Sequence, residues 1–170
     1  MALSPQLLRK LVQTPIFSGL TLHEAGEFFE VALELSEPTG KVLFREGDQG
    51  DALLVLLEGE VSVSRKGVEL ARLARHSVLG ELSLLADREA RSATATVTQA
   101  VTLLKLPSRR LQKLLRADHV ATLKVVANLA QVMGKRLVAV NEKLVATLGA
   151  RGARHEALAD FSRILTRWDF

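Results

Sequence analysis

The chemistry in this sequence is concentrated in Leu79-Gly80-Glu81-Leu82-Ser83-Leu84-Leu85, followed after five residues by Arg91-Ser92-Ala93-Thr94. An ionised carboxylate accepts a hydroxyl proton, and a guanidinium fork grips a phosphate oxygen pair. A short helix beginning near Gly80 leaves its first amides unpaired and directed outward, a ready anion site. Glycine there lets an anion approach the backbone closely, and Ser92 adds a hydroxyl and an amide. Taken singly, a glutamate at a helix start is a dipole partner, and an arginine entering a strand is a solvated edge charge. Their order, and the β pattern they follow, point instead to a sugar-and-phosphate site.

The elements that must position these groups can be read from periodicity. Residues 4–30 predict short helices: Ser4-Pro5 opens the first, Thr14-Pro15 breaks it, and Thr21 with Glu24 makes a capping box for the next. From about 31 to 106 the pattern changes to short strands between turns. Lys41–Phe44 predicts one strand and Ala52–Leu57 a strand buried on both faces. Glu58-Gly59-Glu60 is expected to turn the chain into the alternating strand Val61–Ser64. A turn at Lys66-Gly67 leads to Val68–Leu73. Arg91–Val97 and Val101–Leu106 predict a strand pair around Thr98-Gln99-Ala100. Pro107-Ser108 then opens a basic helix over 108–117.

Residues 119–148 predict one long helix. Leu123, Val126, Ala130, Met133, Leu137, Val140, Leu144 and Thr147 recur in steps of three and four, a heptad seam for another helix. A second stripe, Val125, Leu129, Val132 and Ala139, is expected to pack on the strands. Gly149 and Gly152 punctuate the helix end. A tail helix over about 154–167 sets Leu158, Phe161 and Leu165 on one side, continuing to Trp168.

Composition narrows the function. The 170 residues suffice for one domain with a core. There is no cysteine, hence no disulfide or thiolate metal site, and a cytoplasmic setting is expected. No apolar run reaches the length of a membrane span. Residues 105–170 hold 13 of the 23 Lys+Arg but 5 of the 19 Asp+Glu. That excess is read as a solvated helix face rather than a nucleic-acid surface, since Arg109, Arg110, Lys113 and Arg116 have only Phe161 and Trp168 as nearby aromatics. His23, His76, His119 and His155 lack metal-ligand spacing, and no nucleophile elbow or P-loop appears.

Gly80-Glu81-Leu82-Ser83-Leu84-Leu85 with Arg91-Ser92-Ala93 resembles the phosphate-binding cassette of cyclic-nucleotide-binding domains, with a spacing similar to that of bacterial catabolite activator proteins. Gly47-x-x-Gly50-Asp51 and Leu57-Glu58-Gly59-Glu60-Val61 look like the family's two glycine turns, and Ile16–Leu20 like its entry segment. Met133–Leu137 and Asn141–Lys143 resemble its dimer helix. The resemblance covers roughly residues 14–145. It implies a mainly β fold with flanking helices, an antiparallel β-roll followed by a long dimerisation helix. It also implies that Glu81 accepts the ribose 2′-OH. Arg91 pairs with the phosphate, helped by Ser92 and the amides of Leu82 and Ser83, with Gly80 and Ala93 also at the ligand, while Val63 and Leu70 line the base pocket.

Val140 and Asn141 match positions that approach the base. The family often has hydroxyl residues there, so Asn141 is the group able to hydrogen-bond it. A second departure is Ala74-Arg75-His76-Ser77, where the family usually has a glycine-containing turn.

The expected organisation is a β-roll with N-terminal helices over 1–118, a dimerisation helix over 119–148 and an amphipathic tail over 149–170, with no DNA-binding domain. The expected function is a non-catalytic sensor binding cAMP, with cGMP as the other candidate and no metal. It would act as a homodimer, with a protein partner possible and neither DNA nor membrane involved. The alternative is a ligand-free structural or interaction protein of the same fold.

Overall fold

The computed structural model describes residues 8–9, 11–81 and 90–150, and the side chains of 148–150 are not described. The leading Ser4-Pro5, the segment following Glu81 and the tail helix lie outside these residues. Among them no helix is long and apolar enough to cross a membrane.

A short 3-10 turn, Pro15–Phe17, precedes α1, Leu22–Phe29. The expected capping box is present: Thr21 N donates to Glu24 Oε2 at 2.8 Å, and Glu24 N donates to Thr21 Oγ1 at 3.2 Å. Two of the orphan amides of the first turn are thereby satisfied. Phe17, Phe28 and Phe29 form a buried aromatic cluster, with Phe17 and Phe29 edge-to-face at 4.7 Å.

Six antiparallel strands follow: β1 Leu33–Glu37, β2 Val42–Phe44, β3 Ala52–Arg65, β4 Val68–Ala74, β5 Val78–Leu79 and β6 Thr94–Pro107. The sheet order is β1-β6-β3-β4, with β2 also on β6 and β5 also on β3. Leu54, Leu56, Val61, Leu79, Ala95, Val97, Val101 and Leu103 make the buried interior of this roll. The fold is the expected antiparallel β-roll with flanking helices.

Two expected turns are corrected. Glu58-Gly59-Glu60 does not reverse the chain, and Thr98-Gln99-Ala100 does not divide a hairpin. β3 and β6 are each continuous for 14 residues, paired from Ala52↔Pro107 to Ser64↔Thr94. The register shifts between Leu56 and Val61, opposite Val97–Leu103. These irregularities bend one long ribbon where the sequence suggested two separate pairs. Gly59 has φ +85°, and a Cβ on it would run into the backbone carbonyl of Ala100. Glycine marks a close approach of two strands here, a signal easily mistaken for a turn. β1 and the two-residue β5 were not anticipated individually: β1 is largely exposed and too short for a clear alternation.

The turn at Ala74–Ser77 is closed without glycine. His76 adopts φ +68°, and its N–H donates to Leu56 O at 2.7 Å.

After β6, α2 spans Ser108–Arg116 and α3 spans Val120–Ala150. Arg109, Arg110, Lys113 and Arg116 are exposed on α2 while Leu111 is buried. Residues up to Leu129 and those from Ala130 onward form two compact units. Within the first, Ala121, Thr122, Val125 and Leu129 of α3 are buried. The polar contacts of these turns go to the N-terminal helical segment rather than to the strands. Lys124 Nζ donates to Glu24 at 2.7 Å, and Asn128 Nδ2 donates to Ser18 O at 2.8 Å. Within the second unit, Leu137, Val138, Val140 and Val145 are exposed.

Candidate functional site

Gly80 directly follows β5, which is held in the sheet by Leu54↔Leu79 and Val55↔Val78. Its φ of +74° is a left-handed conformation that glycine adopts without steric cost. The chain returns at Ala90, which bridges to Gln49. Arg91 does not lie on a strand, contrary to the sequence reading; β6 begins three residues later, at Thr94. The Gly47–Gln49 loop clamps its backbone instead. Gly47 N donates to Arg91 O at 2.8 Å, and Arg91 N donates to Asp48 O at 2.7 Å.

The Arg91 side chain is buried, with the residue 7% exposed. Its Nη2 donates to Ala52 O at 2.9 Å and lies 3.5 Å from Asp51 Oδ1. The guanidinium stands 4.3 Å over the Phe44 ring, a cation–π contact that tolerates burial of the charge. A Cβ on Gly80 would collide with this same guanidinium. The glycine thus makes room for the arginine itself, a nearer reason than close approach of an anion.

The electrostatics follow. Burial pushes the Arg91 pKa below its ordinary value, opposed by the charges of Asp51, Glu81 and Asp48. Burial pushes Asp51 up, but Lys105, by hydrogen bond and charge, together with Arg91, outweighs it and leaves the carboxyl below its usual value. Lys105 Nζ donates to Asp51 Oδ2 at 2.7 Å. Asp51 therefore stands between two cations. Arg91 also walls a cavity of about 500 Å³ whose lining includes Phe44, Asp51, Leu54, Leu103 and Lys105. Glu81, Val63 and Leu70 are not in that lining.

The other expected site residues fall as follows. Glu81 is half-buried, within electrostatic reach of Arg91. Ser92 is exposed and Ala93 buried. Val63, on β3 between Ala71 of β4 and Ala95 of β6, packs against the roll interior. Leu70, on β4, is 54% exposed. Leu82 and Ser83 lie outside the described residues. Val140, 61% exposed, and the half-buried Asn141 belong to the second compact unit. Among the described residues no group of three or more His, Asp or Glu is placed to hold a metal ion.

Phe44 and Lys105 escaped the sequence reading, and Asp51 was read only as part of a turn. A signal existed for Phe44, the sole aromatic residue between Phe29 and Phe161. Lys105 carried none: a lysine alternating with apolar neighbours reads as an edge charge.

Comparison with known proteins agrees with this geometry. The sequence pattern of the cyclic nucleotide-binding domain family matches residues 34–118. The Cyclic AMP receptor protein of Thermus thermophilus is 33% identical over 133 residues, covering 73% of this chain and 57% of that protein. Glutaminase 1 of Bradyrhizobium diazoefficiens is 29% identical over 136 residues, 79% of this chain but 22% of that protein. The chain thus spans from about a fifth to just over half of these two curated relatives. The crystal structure of the N-terminal domain of a transcriptional regulator from Streptomyces coelicolor A3(2) superposes with TM-score 0.64 at 31% identity. That match covers 77% of this chain and 94% of that domain. On the cassette, the roll that carries it and these matches together, the chain belongs to the cyclic nucleotide-binding domain family.

Proposed function

We propose that this chain binds cAMP as a regulatory module and does not transform it. Glu81 accepts the ribose 2′-OH, and Arg91 pairs with the cyclic phosphate, assisted by Ser92, Ala93 and the amides of Gly80, Leu82 and Ser83. Val63 and Leu70 meet the base, with Val140 and Asn141 contributing from the long helix. The observation that carries this reading is the buried Arg91 guanidinium occupying the space that Gly80 leaves open, beside Glu81. An arginine buried to this degree is costly unless a carboxylate or an anionic ligand offsets it. Asp51 is shared between Arg91 and Lys105, and both cations line the same cavity. The similarity to a cyclic AMP receptor protein runs over 73% of this chain, against 47% for the cGMP-dependent protein kinase egl-4 of Caenorhabditis elegans at 35% identity, and that longer match supports adenine.

The signal is proposed to pass through a homodimer formed by residues 119–148. Leu123, Leu137 and Val140 of the heptad seam are 45%, 56% and 61% exposed, available to a second copy. Nucleotide shifts such a dimer only by binding one arrangement more tightly than another.

Isothermal titration with cAMP and with cGMP tests the reading. Binding is expected for cAMP, more tightly than for cGMP, and the Arg91→Ala variant loses nucleotide-induced thermal stabilisation. Tighter cGMP binding would reassign the base. No heat from either at about 1 mM, a weak-affinity limit, would leave the fold a ligand-free interaction module.

A further inference from the structure

The cavity walled by Arg91 carries two sets of charges. In the first, Arg91 and Lys105 share Asp51, so these groups are engaged with one another. The second set is Glu37 and Lys41, which line the same cavity from either side of the turn between β1 and β2. Among the described residues neither of these side chains makes a hydrogen bond or an ion pair, with the other or with any neighbour.

The remaining wall is largely apolar. It includes Leu35, Leu43, Leu54 and Leu103, and the last two are buried in the roll. Leu35 and Glu37 are two residues apart, as are Lys41 and Leu43. Alternate residues of an extended chain share one face, so each arm of the turn brings one leucine and one charge to the cavity. The two charges are opposite in sign. This part of the cavity is also distant from the expected base wall. Leu54 pairs with Lys105 near one end of the β3–β6 ribbon, and Val63 pairs with Ala95 near the other. Leu54 and Val63 are nine residues apart on β3, about 30 Å of extended strand.

We propose that Glu37, Lys41 and the leucines between them bind a zwitterion with an apolar body, namely an α-amino acid with a branched aliphatic or aromatic side chain. The charges select this class. A simple anion would meet Glu37 as well as Lys41, and a simple cation would meet Lys41 as well as Glu37. A neutral apolar molecule would desolvate both groups and return a hydrogen bond to neither. An amino acid answers each demand. Its ammonium donates to the Glu37 carboxylate, its carboxylate accepts from Lys41 Nζ, and its side chain lies on the leucines. Such charge-assisted hydrogen bonds are roughly twice as strong as neutral ones. The cavity, about 500 Å³, falls in the size range of small-molecule sites. This inference is independent of nucleotide binding, in which neither Glu37 nor Lys41 has a part.

Thermal-shift titration with L-leucine and L-phenylalanine tests the site. Isocaproate and isoamylamine serve as controls, because each keeps the leucine skeleton with one of its two charges. At least one amino acid should stabilise the chain saturably, half-maximally at or below about 1 mM. Isocaproate and isoamylamine should both bind at least about tenfold more weakly. Glu37→Gln and Lys41→Met should each weaken amino-acid binding about tenfold or more, with the melting temperature of the unliganded chain and its response to cAMP unchanged. No stabilisation by either amino acid up to about 10 mM, beyond the weak-affinity limit, would overturn the proposal. Binding of isocaproate or isoamylamine as tight as that of leucine would overturn it too, as would full amino-acid binding in both variants. Loss of the cAMP response in the variants would place Glu37 and Lys41 in the nucleotide site instead.

Discussion

The guanidinium of Arg91 stands where a side chain on Gly80 would be, so the cassette's two ends are fitted to each other across the chain segment between them. Gly80 also has φ +74°. The one residue type thus answers two demands, a left-handed backbone and an empty Cβ position.

Gly80→Ala should therefore fail on both counts. We expect a loss of about 1–3 kcal/mol in urea denaturation, the range for a strained backbone position, and cAMP affinity at least about tenfold weaker, a 1.4 kcal/mol change. The double variant Gly80→Ala, Arg91→Ala separates the two demands. Removing the guanidinium relieves its part of the collision and leaves the backbone strain and the close approach to Ala52 O, so the two stability losses should combine to less than their sum. Strict additivity would show that the guanidinium does not occupy that space in solution.

The β3–β6 ribbon rests on a second glycine. Gly59→Ala places a methyl group against the carbonyl of Ala100 at φ +85°, and both strands are continuous through this region. A loss of about 1–3 kcal/mol in urea denaturation is expected. The sequence shows Gly59 as a punctuation mark, and what it punctuates depends on the partner strand. A hairpin turn and a bulge can both use a glycine at positive φ, and only the pairing of β3 with β6 separates them. The capping box at Thr21 and Glu24 was legible for the opposite reason, since both its partners lie within three residues. In the site, Glu81 and Arg91 could be read from spacing. The surroundings of the Arg91 side chain could not, because Phe44 and Asp51 meet it, and Lys105 meets Asp51, only after the roll has closed.

His76 holds the left-handed conformation at the turn before β5 with φ +68°. A non-glycine residue there carries a steric cost of about 1 kcal/mol. Its N–H is already bonded to Leu56 O, and that bond does not depend on the side chain. His76→Gly should therefore stabilise the protein by up to about 1 kcal/mol, the unfolded chain's added freedom taking back part of the gain. Chemical denaturation measures the difference, and a destabilised variant would show that the imidazole contributes contacts of its own.

The pairing of Lys124 with Glu24 ties the start of α3 to α1, and it should be visible in the acid limb of the stability profile. Glu24 is lowered from 4.5 to about 2, chiefly by its hydrogen bond from Lys124 and then by the bond to the Thr21 backbone. A carboxyl whose folded pKa is depressed stabilises the fold above its unfolded value and ceases to do so as pH falls through the folded one. The contribution is complete above about pH 4.5 and gone below about pH 2. Thermal denaturation of the native chain and of Lys124→Ala should therefore differ at pH 6 and converge as pH approaches 2. Adding salt at pH 6 should narrow the difference only partly, because the 2.7 Å contact lies within the distance over which mobile ions screen weakly. A difference between the two proteins that stays constant from pH 6 to pH 2 would place the effect of Lys124 in its other bond, to Gly19 O, or in its packing, and not in the charge of Glu24.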